Sequence, residues 1–255
     1  MRCQISIPFE LLKEKYLSKV LEEKVFVEIS IKAEVLENFA RSEFRKIAKI
    51  LKDNSLTPTI HLPFMDLSLA ALDPWIRKVS LKRLFQGMEI ASLFEPIMVV
   101  FHSGYHPDYH RDPREEWREI FIKESLPLIL EVAENFSLKL ALENVFEPEP
   151  EFLLPIFTTY EGNLYWCFDP AHARVFSEKD ELEWLKVLYP YLQEMHCHDN
   201  FGKWDDHLAL GRGVIQFEKI FNLLFEKKLS PILTIEAKKE EDARLSFQFL
   251  QKFFT

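Results

Sequence analysis

Residues 195–213, MHCHDNFGKWDDHLALGRG, carry three histidines (His196, His198, His207) and three aspartates (Asp199, Asp205, Asp206) within twelve positions and then close on a Gly-x-Gly turn. Carboxylates gathered this densely repel one another and are penalised when desolvated, so the cluster calls for a positive partner. A divalent cation is the simplest one, because imidazole nitrogen and carboxylate oxygen are ordinary metal ligands. A solvated polar loop accounts for any one of these histidines. It does not account for the group, because the same ligand types recur elsewhere in the chain.

The elements that would carry such a loop alternate in a regular way. Short apolar runs at 3–7, 25–31, 57–62, 97–102, 138–143, 164–169, 192–198 and 231–236 read as strands. Between them, 42–52, 74–93, 114–136, 178–188, 217–228 and 240–253 have helical spacing, and 8–23 must hold a short helix. Eight apolar strands separated by helices suit a closed parallel sheet, because βα crossovers bury both strand faces. The expected fold is therefore α/β, a (β/α)8 TIM barrel, with residues 1–255 as a single domain. A doubly wound open sheet is the alternative, but no Gly-x-Gly-x-x-Gly follows the first strand.

In a TIM barrel the active site gathers at the C-terminal ends of the strands. The third strand candidate ends near His61, the fourth in His102, the fifth in Glu143 and the sixth in Asp169, with His172 three residues on. The seventh carries His196 and the eighth ends in Glu236. A single buried histidine has an ordinary explanation in the core. Recurrence of polar ends at successive strands argues for a shared site.

Composition narrows the function classes. The chain has 47% hydrophobic residues, enough for a sizeable core, and no Ser/Gly-rich tract that would read as a linker. No segment approaches a membrane span, and charge at Glu10 and Lys13 interrupts any signal-like run, so a cytoplasmic protein with no membrane partner is expected. Cys3, Cys167 and Cys197 are an odd set without a CxxC pair and are expected to be reduced and buried, Cys197 being a weak candidate ligand. A net charge of −9 disfavours broad attraction to nucleic acid without excluding a local cationic groove. No apolar helix face stands out as a dimer surface.

The segments HLPFMDL (61–67), VVFHSG (99–104), LALENVFE (140–147), FDPAHA (168–173), HCHDN (196–200), DDHLALGRG (205–213) and IEA (235–237) together resemble the xylose-isomerase-like TIM-barrel superfamily, over roughly 56–238. That superfamily includes sugar and sugar-phosphate isomerases and epimerases as well as endonuclease IV. Resemblance to the ketose 3-epimerases implies one divalent ion, manganese, magnesium or cobalt, held by Glu143, Asp169, His196 and Glu236. Glu143 and Glu236 would also serve as acid and base beside the substrate carbonyl. Substrate, a small sugar or sugar phosphate, would then meet His61, His102, Asn144, His172, His198 and Arg212.

Resemblance to endonuclease IV implies a different use of the same positions. Three zinc ions would be held by His61, His102, Glu143, Asp169, His172, His196, Asp205, His207 and Glu236, and the partner would be abasic DNA cleaved at a phosphodiester. The strand-seven motif His-x-His-Asp-Asn has His198 where endonuclease IV has asparagine, and looks like the sugar branch. No equivalent of the metal-site lysine of xylose isomerase follows Glu143; the residues there are Asn144, Val145 and Phe146. A third reading is a barrel that binds a polyol or a metal without turnover.

Overall fold

The computed structural model describes residues 1–110 and 112–254. Eight strands alternate with helices: β1 (Cys3–Pro8), β2 (Phe26–Ser30), β3 (Thr59–His61), β4 (Val99–His102), β5 (Leu140–Glu143), β6 (Leu164–Phe168), β7 (Leu192–Cys197) and β8 (Ile232–Ile235). Their order is that of a closed barrel, with the resolved pairings all parallel. Apart from β1, which runs one residue past its apolar stretch to Pro8, the strands are shorter than the apolar runs that announce them, because the run continues into the loop at one or both ends.

The chain packs as two compact units, Ile7–Leu142 on the one hand and Met1–Ser6 with the residues from Glu143 onward on the other. In the first unit, β2 pairs with β3 and β3 with β4, Ser30 opposite His61 and His61 opposite Val100. Its longest helical run, expected over 114–136, consists of Arg114–Ile120, a π-turn at Phe121–Ser125 and Leu126–Asn135. Pro127 has no N–H to continue the α ladder, and the Leu126 N–H reaches back to the Phe121 carbonyl across the widened turn.

In the second unit, β7 and β8 run in register with His196 opposite Thr234, and β1 adds Gln4 opposite Thr234. The period of two along a strand puts Glu194 and His196 on one face of β7, and Thr234 on the same face of its chain as Glu236. Gln4 Nε2 donates to Glu194 Oε1 at 3.0 Å and to Thr234 Oγ1 at 2.8 Å, and the Thr234 hydroxyl donates to Glu194 at 2.6 Å. The strands are thus not uniformly apolar. A buried polar layer lies one step beneath the layer of His196 and Glu236, tolerated because its members bond one another.

Helix Phe217–Glu226 buries Phe217, Ile220, Phe221 and Leu224, the i, i+3, i+4, i+7 stripe. Phe225, eight residues on from Phe217, is rotated off that stripe and is 47% exposed. Helices Pro150–Thr159 and Pro170–Phe176 add to the runs that the sequence spacing marks as helical. Both begin with proline at the first helical position, where its missing N–H is not needed. Among the described residues no helix is long and apolar enough to cross a membrane.

Candidate metal centre

The second unit gathers Glu143, Asp169, His172, His196, His198, Asp205, His207 and Glu236. Glu143, the last residue of β5, is buried. Its Oε1 lies 3.0 Å from His172 Nδ1 and its Oε2 3.4 Å from His196 Nδ1. Glu236, just past β8, places Oε1 3.6 Å from the same His196 nitrogen and Oε2 3.6 Å from His198 Nε2. The two glutamates therefore flank a single imidazole, Glu143 with a side chain 1% exposed and Glu236 with one 17% exposed.

Asp169 follows β6 and caps helix Pro170–Phe176, its Oδ1 accepting the N–H groups of Ala171 and His172 at 2.7 and 2.9 Å. That leaves Oδ2 to face His198 Nε2 at 2.9 Å and His172 Nδ1 at 3.4 Å. Capping thus turns a helix-start residue into an oriented carboxylate. Asn144, expected at a substrate hydroxyl, instead uses both ends of its amide on this strand end. Its Nδ2 donates to the Asp169 carbonyl, and its Oδ1 accepts from the Trp166 indole and the Asp169 N–H.

The loop after β7 brings in the remaining groups. Asp205 Oδ2 lies 3.0 Å from His207 Nε2 and 3.6 Å from His172 Nε2, and its Oδ1 lies 3.6 Å from His198 Nδ1. His198 is fully buried and stacked on His207 with ring centroids 4.0 Å apart. His207 has a left-handed backbone, φ 54°, a conformation that histidine adopts more readily than most side chains.

Asp199 holds the loop by its backbone. It is buried, and its carboxylate accepts the N–H groups of Asn200, Gly211, Gly213 and Ile215. A Cβ on Gly213 would overlap the Asn200 carbonyl and the Asp199 carboxylate, so the Gly-x-Gly marks a close backbone approach. Lys238 Nζ donates to the carbonyls of Asp205 and Asp206 from the other side. Neither role was visible in the sequence. Arg212 is exposed on the turn.

His61 and His102 end β3 and β4 in the first unit, with ring centroids 4.9 Å apart. His61 Nδ1 donates to the Leu62 carbonyl at 3.0 Å, and the ring of Phe64 lies 4.3 Å from that of His102. The three cysteines are free, with Cys167 and Cys197 buried and Cys3 only half-buried. The cysteine brought to the site is Cys167, whose sulfur lies within 4.8 Å of donor atoms of Glu143 and His196, whereas Cys197 donates to the Met195 carbonyl.

Electrostatics follow from the mixture of carboxylate and imidazole. Burial opposes a charge on His172, but Asp169, Asp205 and Glu143 outweigh it and raise its pKa well above the ordinary imidazole value. His198 is raised in the same way, burial being overcome by Asp169, Glu236 and Asp205. Burial alone would push the Asp169 and Asp205 carboxyls up; the facing imidazoles more than reverse this and hold both low. Burial lifts the Cys167 and Cys197 thiols well above their usual range.

These residues fit a divalent metal. Oxygen and nitrogen donors converge in overlapping sets, Asp169 with His172 and His198, and His198 with Asp205 and His207, each set lying within 4.8 Å. His198 Nδ1 and Asp205 Oδ1 are buried without a hydrogen-bond partner and face each other at 3.6 Å.

Known proteins agree with this architecture. Over 202 residues the chain is 31% identical to MJ1311, an uncharacterised protein of Methanocaldococcus jannaschii, covering 76% of this chain and 69% of that one. The structure of the TTHB071 protein from Thermus thermophilus, soaked with ZnCl2, is 29% identical with a TM-score of 0.81, covering 99% of this chain and 98% of the other. A D-tagatose 3-epimerase-like protein is 25% identical with a TM-score of 0.83, covering 100% and 97%. D-psicose 3-epimerase from Clostridium cellulolyticum H10, at 15% identity and a TM-score of 0.79, covers 100% and 98% and shares the fold. The family model for xylose isomerase-like TIM barrels matches residues 26–253, and the chain belongs to that family.

Proposed function

We propose that this protein is a divalent-metal-dependent isomerase or epimerase of a sugar or sugar phosphate, with Glu143 and Glu236 as the paired acid and base. The observation that carries this reading is the placement of Glu143 Oε2 and Glu236 Oε1 at 3.4 and 3.6 Å from His196 Nδ1. Two carboxylates about one imidazole can serve opposite faces of a carbon held between them. Similarity to the D-tagatose 3-epimerase-like protein supports the same substrate class.

In this reading Glu143, Asp169, His196 and Glu236 hold one manganese, magnesium or cobalt ion. Such an ion, when bound, polarises the carbonyl and neighbouring hydroxyl oxygens and acidifies the carbon-bound hydrogen. Glu236, the more open of the pair, takes that proton, and Glu143 returns one from the other face. His172 steadies Glu143 through Oε1. His61 and His102 remain proposed substrate contacts, and Asn144 acts as a positioning residue for Asp169. Residues 1–255 function as a single domain, and free cysteines support a cytoplasmic setting.

The test is exchange of solvent deuterium into a ketose panel, with and without phosphate, followed by NMR at the carbon beside the carbonyl. Exchange that disappears in Glu236→Gln is expected. No exchange with any member of the panel in the presence of manganese, magnesium or cobalt would count against the reading.

A second reading is zinc-dependent cleavage of a phosphodiester at abasic DNA. It is favoured by the seating of Asp205 and His207 against His172 and His198, donors that a one-ion epimerase does not require. The zinc-soaked Thermus thermophilus relative lends support. Incision of an abasic duplex by zinc-loaded protein would select it.

A further inference from the structure

The unit Ile7–Leu142 carries a groove on its helical surface. Helix Pro74–Ser92 lies beside helix Leu126–Asn135, and between them runs a cavity of about 620 Å³ floored by Leu81, Phe85, Leu128, Val132 and Phe136. The two helices lie between successive strands of the barrel, β3 to β4 and β4 to β5, so they point the same way. Arg77 reaches Glu124 at 2.8 Å, which sets 77 level with 124, and by equal rise 79 with 126 and 82 with 129. No single helix shows an apolar outer face in the sequence. The structure makes one from two.

Apolar side chains continue beyond the groove. Trp75 and Val79, four residues apart on the outward ridge of the first helix, are 74% and 64% exposed, and Leu128 and Phe136 are exposed as well. A contiguous exposed apolar patch marks a contact surface. Its two banks carry opposite charge. Lys78 and Lys82 stand on the first helix, Glu131 and Glu134 on the second, all four exposed. A partner of one sign would leave one bank facing its own charge, whereas a second copy of this chain brings both signs.

Two-fold symmetry can turn a second copy over onto this face about an axis across the helices or along the groove. The first sets each cationic bank on its own equivalent. The second sets Pro74–Ser92 of one copy over Leu126–Asn135 of the other, opposite charges together. Rotation about an axis along the groove keeps every residue at its level, so Lys82 comes to the partner's Glu131 and Val79 to the partner's Leu128. The 19-residue helix spans about 28 Å, and two helices side by side about 20 Å. That face approaches the ~800 Å² that a standard interface takes from each partner.

We propose that this face binds a second copy of the same chain, in a two-fold dimer held by helices Pro74–Ser92 and Leu126–Asn135 with its axis along the groove. Apolar burial supplies the affinity, and the charged banks fix the orientation.

The test is sedimentation equilibrium of the full chain at micromolar concentrations, with circular dichroism to confirm the fold. The wild type is expected to sediment at twice the mass of one chain. Val79→Glu, which carries a charge into the contact twice, is expected to weaken the dimer by at least about 100-fold. Lys82→Glu is expected to weaken it about 10-fold, because symmetry loses the ion pair twice. Glu131→Lys added to Lys82→Glu exchanges the signs of the pair and is expected to recover most of that loss. A monomeric wild type overturns the proposal and leaves the groove to another occupant. A dimer unaffected by Val79→Glu overturns it too, since the copies then meet elsewhere. A double variant that pairs no more tightly than Lys82→Glu alone overturns the axis along the groove.

Discussion

Asn144 grips Asp169 by both backbone groups, its Nδ2 donating to the Asp169 carbonyl at 2.7 Å and its Oδ1 accepting the Asp169 N–H at 3.0 Å. The same Oδ1 accepts from the Trp166 indole, and the Asn144 carbonyl lies 3.1 Å from His172 Nδ1. One buried amide thus fixes the residue that caps helix Pro170–Phe176 and faces His198. Replacing it by alanine would orphan buried donors on Trp166 and Asp169, at a cost of about 2–4 kcal/mol. Asn144→Ala is expected to lower the melting temperature, and to weaken metal binding by about 10–100-fold by releasing Asp169. Calorimetry and metal titration on the same sample check both. Unchanged metal affinity would remove Asn144 from the support of the site.

Glu143 and Glu236 differ in exposure, and their variants should differ accordingly. Glu236→Gln is expected to lower turnover by at least about 10²-fold with little change in melting temperature. Glu143→Gln loses turnover as well, and in addition disturbs His172 and His196, which it meets from a buried position. Full turnover in Glu236→Gln, measured by deuterium exchange, would sink the acid/base assignment.

The loop that carries Asp205 and His207 depends on Asp199 and Gly213. Gly213→Ala drives a methyl group into the Asn200 carbonyl and the Asp199 carboxylate, and Asp199→Ala leaves the Gly211, Gly213 and Ile215 N–H groups without their acceptor. Either change is expected to reduce binding at Asp205 and His207 while sparing Glu143 and His196. Metal stoichiometry, with circular dichroism to confirm the fold, reads this directly. Full stoichiometry in both variants would show that the loop holds its shape without them.

At the proposed metal site, protons would compete with a bound cation. His172 and His198 have pKa values raised above 6.5, so their protonated forms stabilise the metal-free protein fully below about 6.5, and that contribution fades as pH rises through the raised values. Asp169 and Asp205 are held below 3.8; their contribution is present above that pH and is lost as pH falls through the lowered values. A metal needs the imidazoles neutral, so affinity is expected to rise with pH through the raised histidine values, with protons released on binding. Titration calorimetry in buffers of different ionisation enthalpy measures that release. Binding at pH 6 to 7 with no proton release would contradict it.

The sequence by itself determined the order of the eight strands, most of the helices between them and the polar residues at the ends of strands three to eight, because the periods of two and 3.6 and the βα alternation are local properties. His61, His102, Glu143, Asp169, His196 and Glu236 were legible for that reason. What each polar side chain faces was decided only by the tertiary structure. Asp199 and Asp205 are both loop aspartates in the sequence, yet one collects backbone N–H groups and the other meets His172, His198 and His207. Asn144 became the clamp on Asp169, Cys167 and not Cys197 came to lie beside His196, and Gln4, Glu194 and Thr234 bonded one another beneath the site. These partnerships join residues on different strands and loops. They are set by register and by the path of the chain between strands, which no local pattern records.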